Sequence, residues 1–287
     1  MQIRKSRGKV RGFAMRMLTL VENTPGAACC GSEHGLSIYI ETEHHKVLMD
    51  CGATDLFFRN GAALGIDFGQ IDTVVLSHGH YDHGGGIPVF AAHNRHAKIY
   101  LRRSAGGAYY HDKGDALRYI GLADGITGLP QCVFTDGTLR LDDELLLFGD
   151  VRGTRFLSKD RRAMKRLDGD AFVQDPFDHE QCLVVSEGGR NILLSGCAHN
   201  GIVNILDRYR ELFDGLPDAV IGGFHLIQNG DYTAADLEAI RAIGRVLRET
   251  DTVFHTGHCT GEVGYRVLKE IMGEQLHPLH SGTEIPL

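Results

Sequence analysis

Between Ser77 and Gly86 the chain reads Ser-His-Gly-His-Tyr-Asp-His-Gly-Gly-Gly, directly after the apolar run Thr73-Val74-Val75-Leu76. His78, His80, Asp82 and His83 therefore fall within six positions. A strand ending in such a cluster presents its side chains together at a sheet edge, so the fold must contain a sheet whose strand ends open on a cleft. A neutral imidazole donates one nitrogen to a divalent cation, and a carboxylate adds the negative charge that holds a second. Zinc, iron or manganese suits this donor set. The competing reading is a polar, His-rich surface turn. Gly84–Gly86 favours the metal reading, because glycines let the backbone pass close to a site and start a helix.

Further short apolar runs occupy Leu36–Ile40, Lys46–Asp50, Ala97–Leu101, Cys182–Ser186, Asn191–Ser195, Ala219–Gly222 and Thr252–His255. Several are rich in Val and Ile and stop at Gly, Ser or Asp, as strands do. Helical spacing lies between them: Ile202, Ile205, Leu206, Tyr209, Leu212 and Phe213 share one face. Thr233 and Asp236 form a capping pair ahead of Leu237, Ile240, Ile243 and Leu247, and a last helix carries Val267, Leu268, Ile271 and Met272. Strands dominate early and alternate with helices later, which predicts an α/β layered fold. No linker divides the chain, so residues 17–287 form a single expected domain behind a basic extension, residues 1–16. The segment 150–178 reads as a loop or mobile helix.

Charge narrows the partners. Residues 1–16 hold six of the 30 basic side chains and no acidic one, leaving 24 basic against 37 acidic, or -13, for the remainder. Such an acidic body argues against general nucleic-acid binding. No apolar stretch reaches transmembrane length, and the first residues lack the apolar core of a signal peptide. The seven cysteines are odd in number and form no CxxC pair, which fits reduced thiols in the cytoplasm. A small-molecule substrate, with neither nucleic acid nor membrane as partner, is the expectation, and a homo-oligomer is compatible with it.

The HxHxDH run after its strand resembles the metallo-β-lactamase superfamily, and Asp50-Cys51-Gly52 is similar to that superfamily's Asp-x-Gly element. Glu33-His34-Gly35-Leu36-Ser37, Asn60–Ile66, Gly196-Cys197-Ala198-His199-Asn200-Gly201-Ile202-Val203-Asn204, Gly222-Gly223-Phe224-His225-Leu226 and His258-Cys259-Thr260-Gly261 narrow the likeness. They resemble one subgroup, labelled dihydropterin-ribofuranosylaminobenzene phosphate synthase or metal-dependent hydrolase. The resemblance implies an αββα sandwich with two divalent metal ions in a cleft at the sheet edges. Zinc is the leading candidate, with manganese, iron or magnesium as alternatives. By that pattern His78 and His80 bind one ion and Asp82 and His83 the other, with Asp50 orienting a ligand imidazole.

The remaining ligands must come from later strand ends. His179 stands where a third ligand for the first ion is expected. The usual bridging aspartate is replaced here by Gly196-Cys197, with His199 two residues on. His199 is preferred as ligand, because Cys197 is equally explained as a small buried residue at a strand end. His258 resembles the last ligand, and His255 is a weaker choice. His225 is assigned to substrate binding or proton transfer. Arg152 and Arg155 open a run of seven basic side chains ending at Arg166 that could hold a phosphate, against the simpler reading of a solvated basic face. Tyr109, Tyr110 and His111 are candidates to line the cleft.

These residues suit a metal-activated water attacking phosphorus or a carbonyl carbon of a small phosphorylated or cyclic ester, with Asp82 orienting the nucleophile and His225 protonating the leaving group. Pterin condensation with release of pyrophosphate is the alternative. A non-catalytic metal-binding or sensor protein is the third reading.

Overall fold

Strands form where alternate side chains find two different buried faces. Leu145 and Leu147 pack into one core, while Leu146 and Phe148, between them, pack into another. The same alternation separates Val47 and Met49 from Leu48. A sheet buried on both faces reads as a continuous apolar run, which is how these segments look in the sequence. The computed structural model describes residues 15–228 and 230–287.

Two seven-stranded sheets result. The first runs, in spatial order, Thr283–Glu284, Arg16–Val21, Ser37–Glu41, Lys46–Met49, Thr73–Val75, Lys98–Arg102 and Cys132–Thr135. The second runs Leu276–Pro278, Val253–Thr256, Ala219–Ile221, Arg190–Leu194, Cys182–Glu187, Leu145–Phe148 and Thr138–Arg140. Between them lies a core built from Ile38, Ile40, Met49 and Val75 on one side and Leu147, Leu183, Val185 and Leu194 on the other. Helices Leu56–Ala63 and Ile87–His93 cover the outer face of the first sheet through Phe57 and Phe90. Helices Ile202–Leu212, Ala234–Arg248 and Gly261–Met272 cover the second through Tyr209, Ile243 and Leu268. The layers are helix, sheet, sheet, helix, which is the expected αββα sandwich. The capping box forms as read: Thr233 Oγ1 accepts from Asp236 N–H at 3.2 Å, and Asp236 Oδ2 accepts from Thr233 N–H at 2.9 Å.

One region differs from expectation. Residues 150–178 contain the strands Met164–Asp168 and Ala171–Gln174, which join Tyr109–Asp112 and Leu117–Tyr119 in a separate four-stranded sheet. The pairing partner of Met164–Asp168 is Tyr109–Asp112, far away in sequence, so no local pattern announces it. Strand Arg16–Val21 also begins one position inside the expected extension, the rest of which, apart from Met15, lies outside the described residues.

Parallel strands bring the motifs together. Arg190–Leu194, Ala219–Ile221 and Val253–Thr256 run parallel, so their C-terminal ends share one edge. Lys46–Met49, Thr73–Val75 and Lys98–Arg102 do the same in the first sheet. Ligands bind outside such ends in layered α/β folds.

His45 clasps the two sheets. Its Nδ1 lies 3.0 Å from Asp72 Oδ1, at the start of Thr73–Val75, and its Nε2 lies 2.7 Å from Asp142 Oδ2, in the turn before Leu145–Phe148. Burial pulls the His45 pKa down, but the two carboxylates outweigh it and hold it above 6.5. The stability this adds is fully present below the unfolded pKa and is lost as pH rises through the folded one. His45→Gln should therefore lower the urea midpoint clearly at pH 6 and much less at pH 9; equal losses at both would refute the clasp.

Candidate metal centre

Strand Thr73–Val75 delivers its loop onto a buried carboxylate. Asp50, in the left-handed region at φ 60°, accepts Ser77 N–H on Oδ1 and Ser77 Oγ–H on Oδ2, each at 2.7 Å. Its Oδ2 also takes His83 Nδ1–H at 2.6 Å. Ser77 Oγ in turn accepts His78 Nδ1–H at 2.8 Å. His78 is thereby fixed as the tautomer whose Nε2 lone pair faces the cleft. At His83, burial is outweighed by Asp50 and Asp82, which raise its pKa to about 9, so a cation must displace its Nε2 proton. His83 Nε2 points at Cys197 Sγ (3.1 Å) and His258 Nε2 (3.2 Å), and His78 Nε2 meets His199 Nε2 at 3.3 Å. His80 Nε2 is buried with no hydrogen-bond partner among the described residues.

The second half arrives from the other sheet. Gly196 (φ 59°) presses on Ser77 so closely that an added Cβ would lie 2.4 Å from that side chain. Glu180 then fixes the following turn, accepting His199 N–H at 2.6 Å and Asn200 N–H at 3.0 Å. Phe177 stacks on the His199 ring at 4.4 Å. Beyond strand Val253–Thr256, His258 Nδ1–H donates to Asn23 Oδ1 at 2.8 Å, which turns its Nε2 toward Asp82 Oδ2 at 3.3 Å. His34 Nε2 approaches the same oxygen at 3.2 Å from the mouth of the cleft.

Among the described residues five triplets have donor atoms within 4.8 Å of one another, and two of them, His78–Cys197–His199 and His83–Cys197–His258, join the first-sheet loop to the second sheet through Cys197. Cys197 belongs to both. Convergent nitrogen donors, an orphaned imidazole nitrogen and a buried sulfur fit binding of divalent metal. Electrostatics agrees on the first side. Burial, reinforced by neighbouring imidazoles, lowers the pKa of His78, that of His80 to about 3, and that of His199, so these ligands are neutral. Burial pushes the Cys197 thiol up, so a cation must displace its proton. The backbone is held under strain here: of the seven non-glycine residues with left-handed φ among those described, Asp50, Phe177, Ala198, His225 and His258 all surround this centre.

The expected ligands His78, His80, Asp82, His83, His199 and His258 thus converge, and Cys197 joins them rather than competing with His199. His179 also meets expectation in part, forming with His80 and Asp175 a third buried group whose donor atoms lie within 4.8 Å of one another. Its Nδ1 accepts Gly79 N–H at 3.0 Å and its Nε2 meets Asp175 Oδ2 at 3.1 Å, which ties this group to the Gly79 turn. His255 stacks on His277 instead, with ring centres 5.0 Å apart.

His225 does reach the cleft, with its ring 4.1 Å from that of His199. The close approach expected of its glycines is real: a Cβ at Gly223 would lie 2.3 Å from Cys259 Sγ. Its carboxylate partner, Asp160, was not legible in the sequence. Asp160 Oδ2 lies 3.6 Å from His225 Nε2, and its Oδ1 lies 3.4 Å from His111 Nε2. Burial opposes protonation of His225, but Asp160 outweighs it and raises the pKa to about 9.

Arg152 and Arg155 are corrected. Arg155 pairs with Asp207 Oδ2 at 3.0 Å on the outer helix, and Arg152 lines a different cavity with Arg161 and Arg162. Their neighbours are similarly engaged, Lys159 with Asp236 and Arg166 with Asp178. Three of the seven basic side chains are thus ion-paired away from the cleft. Of the aromatic candidates, Tyr109 is buried against the His179 ring at 4.0 Å, Tyr110 contacts Tyr119, and His111 lines the cleft. The cleft above the cluster has a volume of about 480 Å³.

A family model described as the metallo-beta-lactamase superfamily matches residues 31–258. The chain belongs to the metallo-beta-lactamase superfamily. Within that superfamily, the 7,8-dihydropterin-6-methyl-4-(beta-D-ribofuranosyl)-aminobenzene-5'-phosphate synthase of Methanocaldococcus jannaschii is 30% identical over 304 residues, covering 97% of this chain and 98% of that protein. An uncharacterized protein of the same organism is 26% identical over 236 residues, 80% of this chain and 85% of that one. A solved metal-dependent hydrolase of the superfamily superposes with a TM-score of 0.80 at 27% identity, covering 96% of this chain and 99% of its own. Zn(2+)-bound PqqB from Methylobacterium extorquens, at 12% identity and a TM-score of 0.57 over 95% of this chain and 100% of its own, shares the superfamily's fold.

Metal content measured by mass spectrometry should separate the roles. Cys197→Ser is expected to weaken metal binding by more than the ~10–100-fold that loss of an outer partner costs. His199→Ala should retain about half the metal, since it touches one triplet only. His179→Asn tests the group with His80 and Asp175: lost metal would place His179 among the ligands, and full retention would leave it as the anchor of the Gly79 turn. A full metal complement in Cys197→Ser would rule out the shared thiolate.

Proposed function

We propose that the protein is a metal-dependent hydrolase of small phosphorylated or cyclic esters. The observation that carries this reading is the pair of ligand triplets sharing Cys197 at the floor of a substrate-sized cleft. Two divalent ions, most simply zinc because a thiolate favours a softer cation, would be held by His78, His80 and His199 on one side and Asp82, His83 and His258 on the other, with Cys197 between. Bound there, they supply an acidified water and a Lewis acid for the developing oxyanion. A reducing, cytoplasmic setting would keep Cys197 out of disulfides and available to a cation.

The chain's own groups do the rest. Asp50 fixes His83 directly and His78 through Ser77, so the ligand nitrogens are aimed before a cation arrives. Asp82, held between His34 and His258, is placed to orient the attacking water. His225, backed by Asp160, lies against the His199 ring and would pass a proton to the leaving oxygen.

A second reading is condensation of a dihydropterin with a ribofuranosylaminobenzene phosphate. It is favoured by the 30% identity, across nearly the whole chain, to a relative named for that synthase. The leaving group would then be pyrophosphate, and His225 would again face it.

Metal analysis of protein purified without added metal, then turnover after loading with zinc, manganese or iron, decides between them. Phosphodiesters, lactones and a dihydropterin diphosphate with its acceptor form the panel. Turnover of an ester, abolished in His80→Ala with little change in thermal stability, is expected. Fewer than one ion per chain and no ester turnover would sink the hydrolase reading, and pyrophosphate release would establish the second.

A further inference from the structure

The four-stranded sheet roofs the cleft, and its hairpin has two chemically different faces. Tyr110 pairs with Tyr119 and His111 with Arg118 across the hairpin strands. Directly paired residues project to the same side, and side chains two apart on a strand do likewise. One face therefore carries Tyr110 and Tyr119, with ring centres 5.3 Å apart, and Phe172 packs on Tyr110 at 5.0 Å. The other face carries His111 and Arg118, continued by Lys113, whose N–H closes the turn on Ala116 O at 3.0 Å. His111, Lys113 and Arg118 all line the cleft above the metal cluster.

Lys113 and Arg118 are the only lysine or arginine among the described residues that line it. The Arg118 guanidinium stands 6.0 Å from the centre of the Tyr81 ring, and Tyr81 lies between His80 and Asp82 in sequence. The charge is thus delivered one side chain away from the reacting centre, in a chain whose net charge is -7. Cations facing a cleft in an acidic protein select an anion. An arginine fork and a lysine ammonium together match a phosphate, which takes several donors and carries close to two negative charges.

We propose that Lys113 and Arg118 form a subsite for a phosphate group carried by the substrate but not itself cleaved. This takes over the role first sought at Arg152 and Arg155. It rests on the cleft being the substrate site of the proposed hydrolase, and it names the substrate class as a phosphate monoester attached to a second, hydrolysable ester. The phosphate holds one end against the hairpin while the ester reaches down to the Cys197 floor. Ile120, Met164 and Ile227 provide an apolar wall for the intervening part.

The test uses metal-loaded Arg118→Gln, Lys113→Gln and the double variant. Substrates are an ester bearing a remote phosphate monoester and the same ester without it. Loss of a charge-assisted hydrogen bond should raise KM for the phosphorylated ester about 10–100-fold, with kcat within about twofold. The unphosphorylated ester should be unaffected. Equal KM changes for both esters, or none, would overturn the subsite while leaving the hydrolase reading intact. If neither ester is turned over, calorimetric titration with inorganic phosphate still decides. Weaker phosphate binding in the double variant at unchanged metal content supports the subsite, and unchanged binding refutes it.

Discussion

Everything at this centre hangs on the Asp50 carboxylate. It is fully buried, and an ionised carboxylate taken out of water costs several kcal/mol unless hydrogen bonds replace its hydration. Ser77 N–H, Ser77 Oγ–H and His83 Nδ1–H supply them. The loop carrying His78 to His83 is therefore wrapped around an anion before any cation is considered. Because Ser77 passes the orientation on to His78, one carboxylate sets ligands on both sides of Cys197.

The second sheet answers with a turn that touches the first at the same place. Gly196 rests on Ser77, the residue that Asp50 holds, and this contact puts Cys197 between the two sets of imidazoles. Left-handed backbone at Ala198, His225 and His258 is the consequence of bending three strand ends into one point, at a cost on the order of 1–3 kcal/mol each. The three cores on either side of the sheets offset that strain, each apolar side chain they fully bury contributing about 1.5–3 kcal/mol. Strain of this kind pre-positions ligands and suits a site meant to bind rather than a site meant only to fold.

The layered fold and the first half of the centre were legible because both are local. His78, His80, Asp82 and His83 are contiguous, and buried strands appear as apolar runs. The second half was legible only as candidates, since each ligand comes from a different strand end. His179 read as a candidate from its place before a buried strand, but its grouping with His80 and Asp175 depends on a loop that no local pattern announces. Cys197 and His199 read as rivals because two residues apart in sequence suggests one or the other; a sharp turn at Ala198 lets both face the cleft. Asp160, Lys113 and Arg118 were hidden for another reason. They sit on or beside a sheet whose strands Tyr109–Asp112 and Met164–Asp168 pair over a long loop, and the basic run from Arg152 to Arg166 drew the eye to the outer surface.

A sulfur shared between two cation sites is the claim on which the chemistry turns, and X-ray absorption at the metal edge addresses it without requiring a substrate. In the zinc-loaded protein a shared Cys197 thiolate should give a sulfur scatterer at about 2.3 Å alongside nitrogen and oxygen at about 2.0–2.2 Å. The sulfur shell should vanish in Cys197→Ser and persist in Cys259→Ser. A first shell of nitrogen and oxygen alone in the unmodified protein would contradict the shared thiolate outright.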